Sequence, residues 1–348
     1  MLLTITFIVV FIPAIFSQTP HHYKNLVLEG AGIRGFAYTG AFQVLDGLQL
    51  LSSIERVGGT SAGAIQAMLL AVGYTPEEMI ALTAHVPLKQ FNDGAWFFGT
   101  GMKRLRKQFG WYKGDKFLLW IEQLIAAKTG DGNITFGQLH QQRQAKGYKD
   151  LFITGTDLTY QCLRIFSHEG YPNMRIKDAV RISLSIPFYY KAIWMDDDGK
   201  VYDKAQTNQQ LHVMVDGGLL SNYPLFLFDS SKYTSGDTNT VNRTMQNTET
   251  LGLLMEMPEQ IAYNLQRNGH YPFAINTMND YLKAVYHTLI DKANPEAGDM
   301  HAMRRTITID NLNLSPRVRK LSPQIIAALL QSGREGVRSF FEQELIEY

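Results

Sequence analysis

The feature that most restricts how this chain can fold is a short strand-like run, Ile54 to Val57, that breaks at Gly58-Gly59-Thr60-Ser61-Ala62-Gly63 and gives way to the apolar stretch Ala64 to Val72. A strand that turns into a helix this sharply leaves no room for side chains beside the turn, hence the flanking Gly59 and Gly63. The pattern G-x-S-x-G puts Ser61 at the turn itself, above a helix N-terminus that stabilises developing negative charge. Ser61 is therefore the candidate nucleophile; the plainer alternative is a tight packing turn.

The alternation recurs along the chain. NLVLEG precedes RGFAYTGAFQVLDGL, and YKDLFITGTDL, QLHVMVDGG and TLGLLMEM are further β-like runs. Such alternation argues for a largely parallel sheet with helices on its faces. Gln324 to Leu345 has apolar residues at three and four spacing and predicts a closing amphipathic helix. Asp229 to Thr250, rich in Ser, Thr and Asn, predicts a loop, and strand-like sequence resumes on both sides of it, so residues 18–348 read as one domain.

Of 348 residues, 45% are hydrophobic and 19% charged, enough to bury a sizeable core. The 33 Lys plus Arg nearly cancel the 32 Asp plus Glu, so no global field gathers DNA or RNA. One cysteine, Cys162, excludes a disulfide framework and a multi-thiolate zinc site. Leu2 to Phe16 is apolar but shorter than the ~20 residues that cross a bilayer as a helix. With Ser17 as a small residue for cleavage, residues 1–17 read as a signal peptide and predict export, to the periplasm or beyond the cell.

A second glycine turn, Gly30-Ala31-Gly32-Ile33-Arg34-Gly35, matches G-x-G-x-x-G and opens the reading of a dinucleotide-binding oxidoreductase. That fold wants an acid at the end of its second strand, whereas Glu55 stands at the beginning. Alternatively the two turns serve the same chemistry, with backbone N–H groups of Gly32, Ile33 and Arg34 lining an oxyanion hole while Ser61 holds the attacking oxygen. Arg34 then fixes the loop, draws in an anionic head group, or forms a surface ion pair. Serine needs a base, and none of the nine histidines sits in a persuasive motif. Val213-Met214-Val215-Asp216-Gly217-Gly218 instead ends an apolar run in a carboxylate, at the kind of strand end where open α/β sheets hold ligands. Taken alone it is an ordinary Asp-Gly turn.

Together and in this order, Gly30 to Gly35, Gly59 to Gly63 and Asp216-Gly217-Gly218 resemble the three signatures of the patatin-like phospholipases. Val180 to Pro187 and Gly110 to Leu139 also resemble bacterial members, and the resemblance spans nearly all of Asn25 to Phe340; Ala31 departs from the glycine more usual there. It implies a three-layer α/β/α domain with a central, mostly parallel sheet, and a Ser61–Asp216 dyad without histidine. It further implies hydrolysis of fatty acyl esters of a lipid substrate at a membrane or micelle surface, a role in lipid breakdown, and no metal or other cofactor. A histidine-using α/β-hydrolase esterase built on the same G-x-S-x-G turn stays open as a competitor.

Three further segments carry weaker expectations. Asp196-Asp197-Asp198-Gly199 lacks the alternate spacing of a calcium loop and predicts a hairpin turn. Trp96-Phe97-Phe98, Lys103 to Lys107 and Trp111-Tyr112 interleave aromatic and basic residues, a mix suited to a bilayer surface, although aromatics docked on the core are the plainer reading. Ser183 and Ser185 read as packing a helix end near the site.

Overall fold

Asn25–Leu28 (β1) is buried along its whole length, as expected of a strand with parallel neighbours and covered faces. It sits inside a sheet whose order is β11-β10-β1-β2-β4-β9-β7-β8, with β5 paired to β4. These strands are β2 (Arg56–Gly59), β4 (Asp150–Asp157), β5 (Cys162–Phe166), β7 (Ile193–Met195), β8 (Val201–Tyr202), β9 (His212–Asp216), β10 (Thr250–Glu256) and β11 (Thr306–Asp310). The run from β11 to β4 is parallel throughout, while β5, β9, β7 and β8 join by antiparallel pairs. A separate parallel pair joins β3 (Gly110–Tyr112) to β6 (Phe188–Tyr190). This computed structural model describes residues 23–94, 98–203, 210–234, 246–264 and, apart from 273, 279, 282–283, 286–287 and 289–299, residues 271–344. The leader at 1–17 lies outside the described residues, as do Trp96 and Phe97.

Among the described residues, eight α-helices come before β6: α1 (Phe36–Gly47), α2 (Leu50–Ser53), α3 (Ala62–Ala71), α4 (Pro76–Thr83), α5 (Phe98–Gln108), α6 (Asp115–Thr129), α7 (Phe136–Lys146) and α8 (Ile176–Ser183). Capping boxes start α4 and α7: Thr75 pairs with Glu78, and Thr135 with Gln138, each satisfying backbone donors that the helix leaves open. The closing helix Pro323–Glu344 forms where its spacing predicts and packs along α1.

Alternate residues of β1 separate the two faces of the sheet. Leu26 and Leu28 join the large core with α1, α3 and α8, whereas Val27 joins Phe152 and Leu254 in a smaller one. Among the described residues, 3-10 turns at Leu225–Phe228 and Ser231–Tyr233 cover that second core. The aspartate run is the hairpin its sequence predicts: Met195 faces Val201, and Asp196 accepts the N–H groups of Asp198 and Lys200 through Oδ1. No helix among the described residues is long and apolar enough to cross a membrane.

Candidate active site

β4 brings Ser61 and Asp216 together. Ile153 pairs with Gly59 of β2 on one edge and Phe166 of β5 on the other, while Gly155 pairs with Asp216 of β9 and Arg164 of β5. Since β5 occupies one edge in both cases, β2 and β9 share the opposite edge. They run in opposite senses along it, so their carboxy ends meet beside the middle of β4.

Ser61 caps α3 with φ 51° and ψ −121°, a left-handed conformation that a non-glycine residue adopts only when its surroundings impose it. Those surroundings are visible. Its N–H donates to Ser183 Oγ at 2.9 Å, and Thr60 Oγ1 bonds Thr154 Oγ1 at 2.6 Å and donates to the Ser221 carbonyl at 3.0 Å. Gly63 lets α3 begin directly against β1, because a Cβ there would stand 2.4 Å from the Leu28 carbonyl oxygen. Gly59 ends β2 below the turn. The Ser61 hydroxyl donates to Asp216 Oδ2 at 2.8 Å.

Besides the Ser61 hydroxyl, two backbone hydrogen bonds fix Asp216. Its N–H donates to the Ser185 carbonyl at 3.0 Å, its Oδ1 accepts the Gly218 N–H at 2.8 Å, and Gly217 opens the 3-10 turn that delivers that donor. Burial pushes its carboxyl up to about 7, against the pull of the Gly218 amide and the Ser61 hydroxyl. A carboxylate that ordinarily titrates near 3.8 is thereby made a competent proton acceptor around neutrality. Ser183 and Ser185, read from sequence as packing residues, thus each hold one member of the pair.

The first glycine loop follows β1 and passes through a 3-10 turn, Gly32–Gly35, into α1. Gly32 has φ +56°, and a Cβ there would lie 2.2 Å from the Pro316 carbonyl oxygen. Of the three amides expected to face an oxyanion, two are already engaged: Ile33 N–H donates to that Pro316 carbonyl at 3.1 Å, and Arg34 N–H to Ala31 at 3.3 Å. The amides of Ala31 and Gly32 make no hydrogen bond among the described residues. Arg34 holds the loop, its Nε donating to the Ala31 carbonyl at 3.0 Å.

Sequence reasoning missed Asn222 and Glu29. Asn222 accepts the Gly30 N–H on its carbonyl at 2.9 Å and donates through Nδ2 to the Gly30 carbonyl at 2.9 Å and to Glu29 Oε1 at 2.8 Å. Burial raises the Glu29 carboxyl to about 8, opposed chiefly by Arg34 and by the Met255 N–H it accepts. Asn222 lies six residues after Asp216 in a run that reads only as a turn, so no local signal marks it.

Other titratable groups are used elsewhere. Glu55 precedes β2 and pairs with Arg56 and Lys24, leaving no acid at the end of β2 for a ribose. His212 sits between Asp157 and Asp197, with ring nitrogens at 2.7 and 2.8 Å from their carboxylates. His140, Asp150 and His168 cluster at the amino end of β4, away from Ser61, where Arg143 also binds Asp150. His21, His22, His270 and His287 lie outside the described residues.

The α/β sheet thus presents a strained serine to a buried aspartate beside a glycine-rich loop. Residues 26–229 match the family model described as patatin-like phospholipase, which covers more than half of the chain. The chain belongs to that family. The match ends at residue 229, short of the Phe340 to which the motif resemblance extended. An uncharacterised protein, R571 of Acanthamoeba polyphaga mimivirus, is 34% identical over 207 residues, covering 59% of this chain and 61% of that protein. A cUMP-AMP-activated phospholipase of Escherichia coli is 28% identical over 208 residues, covering 58% of this chain and 56% of its own length. The chain thus spans less than two thirds of either relative. The crystal structure of VipD from Legionella pneumophila superposes with a TM-score of 0.55 at 16% identity, covering 93% of this chain and 67% of that one, which shows a shared fold.

Proposed function

We propose that this protein is a lipid acyl hydrolase that cleaves fatty acyl esters of phospholipids through Ser61 and Asp216. The observation that carries the reading is the 2.8 Å hydrogen bond from the Ser61 hydroxyl to a buried Asp216 carboxylate. Asp216 takes the Ser61 proton as Oγ attacks the ester carbonyl, and the tetrahedral oxyanion is held by loop amides, that of Gly32 with Ala31 beside it. Collapse expels the lyso-lipid alkoxide, which takes the proton from Asp216 and leaves an acyl ester on Ser61. Water, deprotonated by Asp216, then attacks that ester; Oγ leaves with the proton and the fatty acid departs.

The serine hydroxyl points to an aspartate, and no histidine among the described residues bonds either group, which favours the dyad over a histidine-using esterase. Labelling with a fluorophosphonate and fatty acid release from phospholipid micelles are the tests. The protein should label at Ser61 and release fatty acid, while Ser61→Ala and Asp216→Asn, both folded, should lose nearly all turnover. A folded His→Ala variant that lost several orders of magnitude while Asp216→Asn stayed active would replace this reading with the histidine esterase.

A further inference from the structure

Large apolar side chains crowd the rim of the Ser61–Asp216 pair without being covered. The Ser185 carbonyl takes the Asp216 N–H, and the next residue, Ile186, is exposed; Leu219 and Leu220, just past Asp216, are exposed too. Two residues beyond Ile186, Phe188 begins β6 with 75% of its surface open to solvent and pairs with Gly110 of β3. Phe109, directly before Gly110, is 49% exposed, its ring touching Trp194 at a 6.0 Å centroid separation. Both phenylalanines have left-handed backbones, φ 63° and 66°, a conformation that bulky side chains avoid. The fold therefore holds two aromatic rings outward at a conformational cost and does not bury them.

Beside them lies a ridge of positive charge. Lys103, Arg106 and Lys107 are exposed on α5, whose last residue adjoins Phe109. Arg104 is turned inward, donating to the carbonyls of Trp111 and Gly94. Trp111 lies against Gly101 and Tyr112 against Tyr189, so these two aromatics pack inward as core docking predicts. Two acids that flank α5 in sequence are committed: Asp93 accepts the N–H groups of Gly114, Asp115 and Lys116, and Asp115 pairs with Lys191 at 2.8 Å. On a chain of formal net charge +1, this ridge is a local excess.

We propose that Phe109, Ile186, Phe188, Leu219 and Leu220, flanked by Lys103, Arg106 and Lys107, form a docking face for the surface of a bilayer containing anionic lipid. The face adjoins the Asp216 end of the site through Ile186, next to Ser185, and Leu219, next to Gly218, so docking brings the ester to Ser61 without its passage through bulk water. This rests on the acyl hydrolase reading for its purpose, but binding is measurable without hydrolysis. Exposed aromatics enter the interfacial region, and cations beside them bind anionic head groups, each contributing roughly fivefold in partition at low salt.

The experiment uses the full chain with Ser61→Ala, which cannot consume the vesicles, and sucrose-loaded vesicles of phosphatidylglycerol with phosphatidylcholine or of phosphatidylcholine alone. Two variants are compared: Phe109→Asn/Phe188→Asn, because asparagine accepts a left-handed backbone, and Lys103→Gln/Arg106→Gln/Lys107→Gln. The parent should partition at least tenfold better onto the anionic vesicles. The charge variant should lose about 100-fold and its salt sensitivity, and the aromatic variant should lose at least tenfold on both vesicle types. With Ser61 restored, both variants should hydrolyse a water-soluble short-chain ester within twofold of wild type. Equal binding to both vesicle types, or unchanged partition in either variant, would overturn the proposal. So would a loss of soluble-ester turnover matching the loss of binding, which would mark these residues as packing. Absence of ester hydrolysis in wild type with normal anionic partition would instead strike only the hydrolase reading.

Discussion

Asn222 holds Gly30 by both of its backbone polar groups, accepting its N–H and donating to its carbonyl, each at 2.9 Å. The turn that follows Asp216 is thereby tied to the loop that carries the Gly32 amide. Asn222→Ala should lower kcat for a short-chain ester by about 100-fold, the cost typical of a misplacement near 1 Å, with KM changed little. Steady-state kinetics beside a thermal melt decides it. A loss of stability with unchanged kcat would make Asn222 a purely structural tie.

Turnover should depend on the ionisation of Asp216. With its carboxyl raised to about 7, kcat/KM should climb tenfold per pH unit below that value and level off above it. A pH profile on a soluble ester measures this. A plateau reaching down to pH 5 would mean that Asp216 keeps an ordinary carboxylate value.

The same shift has a consequence for stability, of opposite sign. The folded state holds the Asp216 proton more tightly than the unfolded chain, where the group titrates near 3.8. Its contribution is therefore full below pH 4 and is lost as pH rises through 7. Asp216→Asn should melt like wild type near pH 4 and be more stable at pH 8, by on the order of a few kcal/mol, while inactive at both. Chemical denaturation at the two pH values tests the crossing.

Ser61 stores backbone strain, so its two inactive replacements should differ. Ser61→Gly should be more stable than Ser61→Ala by about 1 kcal/mol, because glycine takes φ 51° freely. Gly63→Ala should act the other way and lose about 1–3 kcal/mol, since its Cβ meets the rigid Leu28 carbonyl. Denaturant midpoints measured in parallel check both.

The sequence made the strands and the two strand-end turns legible because glycine clusters mark places where backbone must approach backbone. Ser61 and Asp216 could be read for the same reason. The oxyanion loop could not be resolved to its amides: Ile33 spends its N–H on Pro316, a residue from far along the chain that no local pattern ties to it. Asn222 and Glu29 were invisible because their importance lies in whom they touch, not in their own surroundings. The exposure of Phe109 and Phe188, likewise, depends on the β3–β6 pairing, which three-residue strands do not announce.

Ser61 and Asp216 are 155 residues apart in sequence, yet each takes its position from pairing with β4 and not from the chain between them. Sliding either partner by one residue would displace its end by about 3.3 Å, more than a hydrogen bond tolerates. Loops within residues 158–211 that do not carry Ser183 or Ser185, by contrast, can lengthen or shorten without disturbing that separation. Divergence in this architecture therefore has a free zone and a forbidden one: insertions in those loops can reshape what approaches the site, while a single-residue deletion inside β4 or in the α8–β6 turn would disconnect it.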